Sequence, residues 1–158
     1  MKQRLNHGQI LPDFAKKVGE LGYQLEKSVG ESLFGLVHNR VSQMNGCAFC
    51  VDMDVKKAKL RGESLLKMYH VAVWRDSQLF SEKERAALEW AESVTHLPAE
   101  GISDELYNRM REIFSEKELV ELTGAITITN VWNRLNAAFR TTPGQLDKVF
   151  GLDKAGLD

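Results

Sequence analysis

Between Leu119 and Phe139 the chain carries only two charged side chains, Glu121 and Arg134, while apolar residues such as Val120, Ile126, Val131, Trp132 and Phe139 point in more than one direction around a helix. A helix that is apolar on every side must be covered on every side. Either it runs through the centre of its own domain or part of it is buried against another subunit. A helical domain of 158 residues has little surface to spare for the first solution alone, so assembly into a homo-oligomer is expected.

The rest of the chain is equally permissive of helix. It has three prolines, Pro12, Pro98 and Pro143, and no stretch alternates apolar and polar residues between turn signals as a strand would. Phe14, Val18, Leu21 and Leu25 recur at helical spacing, and Leu33, Leu36, Val37, Val41 and Met44 repeat the pattern up to an Asn45-Gly46 turn. Ser81 with Glu84, and Ser115 with Glu118, have the S-x-x-E form in which two side chains satisfy free backbone N–H groups at a helix start. The spacing predicts helices over about 12–28, 31–44, 48–61, 63–75, 82–96, 103–113, 116–140 and 143–150. A chain of this length without repeats or linkers is expected to be one all-α domain over residues 1–158.

Charge removes several function classes. With 21 Lys plus Arg against 22 Asp plus Glu, the net charge of −1 gives no electrostatic footprint for nucleic acid. No uncharged apolar run approaches the length of a membrane span, and Pro12 and several charges occupy the region where a secretory signal would be apolar. A cytoplasmic protein with neither a nucleic-acid nor a membrane partner is expected.

The chemistry concentrates at Cys47 and Cys50, the chain's two cysteines, which form a single CxxC. The turn before Cys47 and the helical pattern after it place that thiol at or beside a helix N-terminus, where free N–H groups and the helix dipole favour thiolate over thiol. Cys50 follows one turn later, close enough for a disulfide to open and close with little backbone movement. Two buried cysteines or half of a zinc site are the competing readings. No second CxxC or HxxxH supplies the other zinc ligands, so no metal and no cofactor is expected. Tyr69, His70 and Trp74 are candidates to line a substrate pocket, Asn133 and Asn136 to satisfy buried interhelical bonds; His7 and His96 carry no argued role.

The run Arg40-Val41-Ser42-Gln43-Met44-Asn45-Gly46-Cys47-Ala48-Phe49-Cys50-Val51-Asp52-Met53 resembles the core signature of the AhpD-like alkylhydroperoxidases, within the carboxymuconolactone decarboxylase superfamily. Gly62-Glu63-Ser64, Trp74-Arg75-Asp76, Phe80 to Leu88 and Asn130 to Asn136 extend the resemblance in the expected order over about residues 30–144. It implies an all-α AhpD-like domain that assembles as trimers or hexamers. It also implies a thiol peroxidase or disulfide oxidoreductase that reduces a peroxide in antioxidant defence and is recharged by a thiol partner such as a peroxiredoxin or a lipoyl-bearing adaptor. The physics of the helix terminus favours Cys47 as the attacking thiolate, whereas the resemblance implies that Cys50 meets the peroxide; the choice stays open.

Two positions depart from the family pattern. Where the family usually has a Glu and a His serving as a proton relay, this chain has Gly35 and Asp54. A carboxylate alone is a weak base near neutral pH. Glu31, Gly35 and His38 share one helical stripe, however, so His38 is expected to take the imidazole role with Asp54 as its carboxylate, relaying a proton to or from Cys50 directly or through water. Glu31 and Asp52 are weaker candidates. The competing function is a redox-sensing or electron-accepting dithiol adaptor that has lost peroxidase turnover with the relay. A decarboxylase acting on a cyclic lactone acid is disfavoured, because those branches of the superfamily generally lack this CxxC.

Overall fold

A computed structural model describes residues 2–157, among which there are helices and turns but no strand. The helices are α1 (His7–Ile10), α2 (Pro12–Val29), α3 (Glu31–Met44), α4 (Ala48–Leu60), α5 (Leu65–His70), α6 (Glu82–Thr95), α7 (Asp104–Ile113), α8 (Glu116–Phe139) and α9 (Asp147–Phe150). Short 3₁₀ turns follow at Val71–Val73 and Leu152–Ala155. Both S-x-x-E boxes form: Ser81 and Glu84 start α6, and Ser115 and Glu118 start α8. The step from α2 to α3 is a single residue, Gly30, whose φ of 92° is a conformation that side-chain-bearing residues avoid.

The 24 residues of α8 make a rod about 36 Å long at the usual rise. It packs against α2, α3, α4, α6 and α7. Val37 and Val41 of α3, Ala87 and Ala91 of α6, and Leu122 and Ile126 of α8 form the main core. Leu36, Ala58, Met68, Val71, Trp74, Phe80 and Leu88 make a second cluster. A third holds Cys47, Phe49 and Cys50, with Met53 and Leu146 against it. The CxxC is therefore part of the interior. The expectation that α8 is covered on all sides is met in part within the chain: Leu122, Ala125, Ile126 and Asn133 are buried, but on one stripe Val120 is 72% exposed. Among the described residues no helix is long and apolar enough to cross a membrane.

Two predicted helices differ. The segment read as one helix over 63–75 divides into α5 and the 3₁₀ turn, because residues three apart eclipse at three residues per turn and this winding buries Val71 and Trp74 together. The segment read over 143–150 is helical only from Asp147. Gly144, at φ 78°, instead turns its N–H toward Asp52 Oδ2, 3.2 Å away. The short α1, capped by the Asn6 side chain on the Gln9 N–H, escapes the sequence pattern because it contributes no buried residue.

Candidate functional site

The site begins where α3 ends. Gly46 adopts φ 64°, the Cys47 N–H donates to the Ser42 carbonyl at 2.9 Å, and the chain turns directly into α4. The turn is pinned to α8 by Asn45, whose Nδ2 donates to Asn130 Oδ1 at 2.9 Å and to Asn133 Oδ1 at 3.0 Å. Cys47 is the N-cap of α4, and its Sγ accepts the Cys50 N–H at 3.3 Å. A sulfur in that position faces the amide donors and positive end of the helix, which favours negative charge once the pair is reduced. The two cysteines are bonded as a disulfide, with Cα atoms 5.3 Å apart, and are 2% and 3% exposed.

The structure brings His38 of α3 and Asp54 of α4 together. His38 Nδ1 lies 2.8 Å from Asp54 Oδ2, with the carboxylate buried and the imidazole largely so. An ionised carboxylate only accepts, so Nδ1 carries the proton and donates it, leaving the Nε2 lone pair as the basic site. The ring packs on Phe34 at 5.6 Å between centroids, and the Ser42 hydroxyl is 3.5 Å from Nδ1. Ser42 Oγ accepts from Asn133 Nδ2 at 3.0 Å, while its carbonyl holds the Cys47 N–H. Phe34, His38 and Ser42 thus form a one-turn-per-step stripe that ends at the backbone of Cys47.

The hydrogen bond that reaches Cys50 Sγ comes from α8, not from His38: Asn136 Nδ2 donates to it at 3.6 Å. The same amide's Oδ1 is 3.0 Å from His7 Nε2. Sequence reasoning anticipated Asn136 as an interhelical bonding residue and missed His7 altogether. The only local signal near His7 is the Asn6 cap, which marks a helix start and says nothing of a partner 129 residues away.

Other candidates lie elsewhere. Glu31 is exposed and pairs with Arg61 Nε at 3.1 Å, so it does not join His38. Arg61 also pairs with Glu26, and its Nη1 stands 3.7 Å from the point where a Cβ on Gly35 would be. A guanidinium therefore borders the place of the family's carboxylate. Asp52 binds Lys56 Nζ at 3.0 Å and the Gly144 N–H, anchoring the C-terminal segment to α4. The Asp147 carboxylate, 2.6 Å from Lys56 Nζ, holds that ammonium above its ordinary value, with Asp52 adding to the effect against the opposing push of burial. Trp74 is buried in the second cluster and donates Nε1–H to Glu92 at 2.8 Å; His70 binds Ser77 Oγ at 3.0 Å, and Tyr69 is 60% exposed. None of the three belongs to the cluster that holds the sulfurs.

The family model for the carboxymuconolactone decarboxylase family matches residues 12–93. The uncharacterized protein YdfG of Bacillus subtilis (strain 168) is 37% identical over 139 residues, which span 87% of this chain and 95% of that protein. A solved structure from Agrobacterium tumefaciens, a protein of unknown function provisionally named as the antioxidant defence protein AhpD, superimposes with a TM-score of 0.85 at 36% identity, covering 90% of this chain and 98% of that one. The debrominase Bmp8 shares the fold at a TM-score of 0.74 and 24% identity over 91% of this chain and 77% of its own.

Proposed function

Since the chain belongs to the carboxymuconolactone decarboxylase family, on its AhpD-like side, we propose that it is a thiol-dependent peroxidase in which Cys47 and Cys50 cycle between dithiol and disulfide. The observation that carries this reading is the disulfide itself, seated at the N-cap of α4 with a buried His–carboxylate pair on the two helices that flank it.

The cycle balances as follows. The thiolate of one cysteine attacks the terminal oxygen of a hydroperoxide; the O–O bond breaks, the sulfur is oxidised to a sulfenic acid, and the alkoxide leaves with a proton as an alcohol. The second thiol then attacks the sulfenic sulfur, forming the S–S bond and releasing water. A dithiol reductant, of the kind carried on a lipoyl-bearing adaptor or a peroxiredoxin, reopens the bond by exchange, itself becoming a disulfide and returning two protons to the cysteines. His38, held in its Nδ1–H tautomer by Asp54, serves as the proton carrier for the thiol that must ionise and for the departing alkoxide. The proton passes between His38 and Cys50 directly or through water, while Asn136 supplies the hydrogen bond on Cys50 Sγ in the disulfide form. The half-exposed apolar face of α8 and the groove that Leu21, Leu25, Tyr107 and Val120 line beside it support self-association through α2, α7 and α8.

The test is peroxide consumption by reduced enzyme with a dithiol reductant. Turnover that stops in Cys47→Ser and in Cys50→Ser supports the reading; turnover that survives both substitutions overturns it. Arg61 beside Gly35, in place of a carboxylate, favours a second reading: a dithiol that accepts electrons from a partner without peroxidase turnover. That protein would still form its disulfide stoichiometrically, yet consume no more than one peroxide per chain.

A further inference from the structure

The hydrogen bond on Cys50 Sγ belongs to a chain of contacts that begins at the far end of the sequence. Arg4, ahead of α1, lies across the end of α8: its N–H donates to the Phe139 carbonyl at 2.9 Å, and its guanidinium to the Ala138 carbonyl at 3.1 Å. This strap sets His7 beside the tilted rings of Trp132 and Phe139, 6.1 and 6.2 Å away between ring centroids. From there Nε2 meets Asn136 Oδ1 at 3.0 Å, and Asn136, only 5% exposed, turns its Nδ2 to Cys50 Sγ.

A side-chain amide has one accepting end and one donating end, and the two can exchange by a half-turn of the group. With Oδ1 toward the ring, it is Nε2–H that donates, and a ring with its proton on Nε2 in turn favours the amide with its N–H₂ toward sulfur. A disulfide sulfur is a weak acceptor, whereas a thiolate is a charged one and forms a much stronger bond. The contact is therefore worth little in the oxidised protein and more in the reduced one.

We propose that His7 is a positioning residue for the reaction: through Asn136 it aims an N–H at Cys50 and selectively stabilises the Cys50 thiolate. The N-terminal strap thereby sets how readily the disulfide is reduced and how nucleophilic Cys50 is afterwards. The proposal rests on the reading that this pair cycles, but its measurements are equilibrium and labelling properties of the thiols, so they remain decisive even in a protein that consumes no peroxide.

His7→Phe keeps the packing on Trp132 and Phe139 and removes the N–H; His7→Gln keeps an N–H near the Nε2 position. In a Cys47→Ser background, where Cys50 is the only thiol, alkylation at a pH below the thiol titration reports the thiolate population. His7→Phe is expected to slow it about three- to tenfold, to move the thiolate absorbance titration to higher pH, and, with both cysteines present, to shift the equilibrium with glutathione toward the disulfide by a similar factor. His7→Gln restores each value to within about twofold, and His7→Phe adds nothing further once Asn136 is Ala, as two groups acting in series require. Circular dichroism confirms that each variant is folded. Equal losses in His7→Phe and His7→Gln would overturn the proposal, as would an unchanged thiolate titration in His7→Phe or independent, additive effects of His7 and Asn136.

Discussion

His38 Nδ1 and Asp54 Oδ2, 2.8 Å apart, tie the helix that leads into the CxxC to the helix that begins with it. Because Asp54 is buried and the imidazole presents its Nδ1–H to it, the pair fixes the ring's tautomer as well as its orientation. His38→Ala should lower peroxide turnover about 10- to 100-fold while leaving the disulfide able to form and be reduced. Asp54→Asn should cost less, about tenfold, because the amide leaves the ring in place but can hold the other tautomer. Steady-state peroxide assays on variants whose melting temperatures match the parent measure this, and an unaltered rate in His38→Ala removes the relay.

Much of this arrangement was open to reading in advance. The capping boxes and the spacing of Val37, Val41, Leu122 and Ile126 reveal helices because those signals are local. The approach of His38 to Asp54 follows from two helices meeting at a tight turn. Glu31 shares the His38 stripe in the sequence, yet the guanidinium of Arg61, arriving from the end of α4, draws it away. Trp74 looks like a pocket residue until Glu92, 18 residues later, takes its N–H. His7 could not be found at all, since its role exists only through a contact with α8 that folding creates. Local physics is written in local sequence; the partner of a long-range polar contact is not.

Glu92 is the clearest structural ion. It accepts from Trp74 Nε1, pairs with Arg40 at 2.6 Å and with Arg75 at 2.7 Å, and so joins α3, α6 and the turn after the Val71–Val73 segment. Glu92→Gln should destabilise the fold by about 2 kcal/mol, since it leaves two guanidinium groups without their shared counter-charge. Urea unfolding at neutral pH checks the value; a loss below about 0.5 kcal/mol would show that the two arginines find other partners or solvent.

Acid should act through the same group. Burial alone would raise the Glu92 carboxyl, but hydrogen bonds from Trp74 and Arg75 and the Arg40 charge outweigh it and hold the group below its ordinary value of 4.5. Glu84 is likewise held low by Lys67 and the Ser81 cap against the opposing effect of burial, and Lys83 with Ser115 takes Glu118 down to about 2. A carboxyl depressed on folding stabilises fully above its unfolded value, and that contribution fades as pH falls through the folded one. The share of stability that these carboxylates supply should therefore be constant from neutrality to about pH 5 and decline below about 4.5, with the Glu118 part persisting toward pH 2. In Glu92→Gln the decline below 4.5 should be shallower. Thermal melts across this range measure both slopes.

Lys56 predicts the opposite limb. Its folded value is raised above 10.5, chiefly by Asp147, so its contribution is complete below 10.5 and is lost as pH climbs through the raised value. What is lost is local: Asp52, Lys56 and Asp147 bind the segment holding Gly144 and α9 to the CxxC helix. Asp147→Asn should give, at neutral pH, the looser C-terminal segment that the parent shows only in alkali, with faster hydrogen exchange in residues 144–155 and little change in α3 or α6. Uniform exchange across the protein in this variant would mean that the tether supports the whole fold.

The exposed side of α8 gives the last prediction. Val120 is 72% exposed and borders an apolar groove with Leu21, Leu25 and Tyr107, and Gly124 also lines it, where an added Cβ would stand 3.2 Å from Leu25 Cδ2. An apolar helix face left open in one chain is expected to be closed by a second copy, so Val120→Glu should shift sedimentation toward the monomer without altering helix content. Gly124→Ala should act in the same direction but more weakly, because Leu25 can move only by refilling the groove it lines. If the parent protein sediments as a monomer at every concentration tested, the self-association proposal falls, and the groove must be satisfied by solvent.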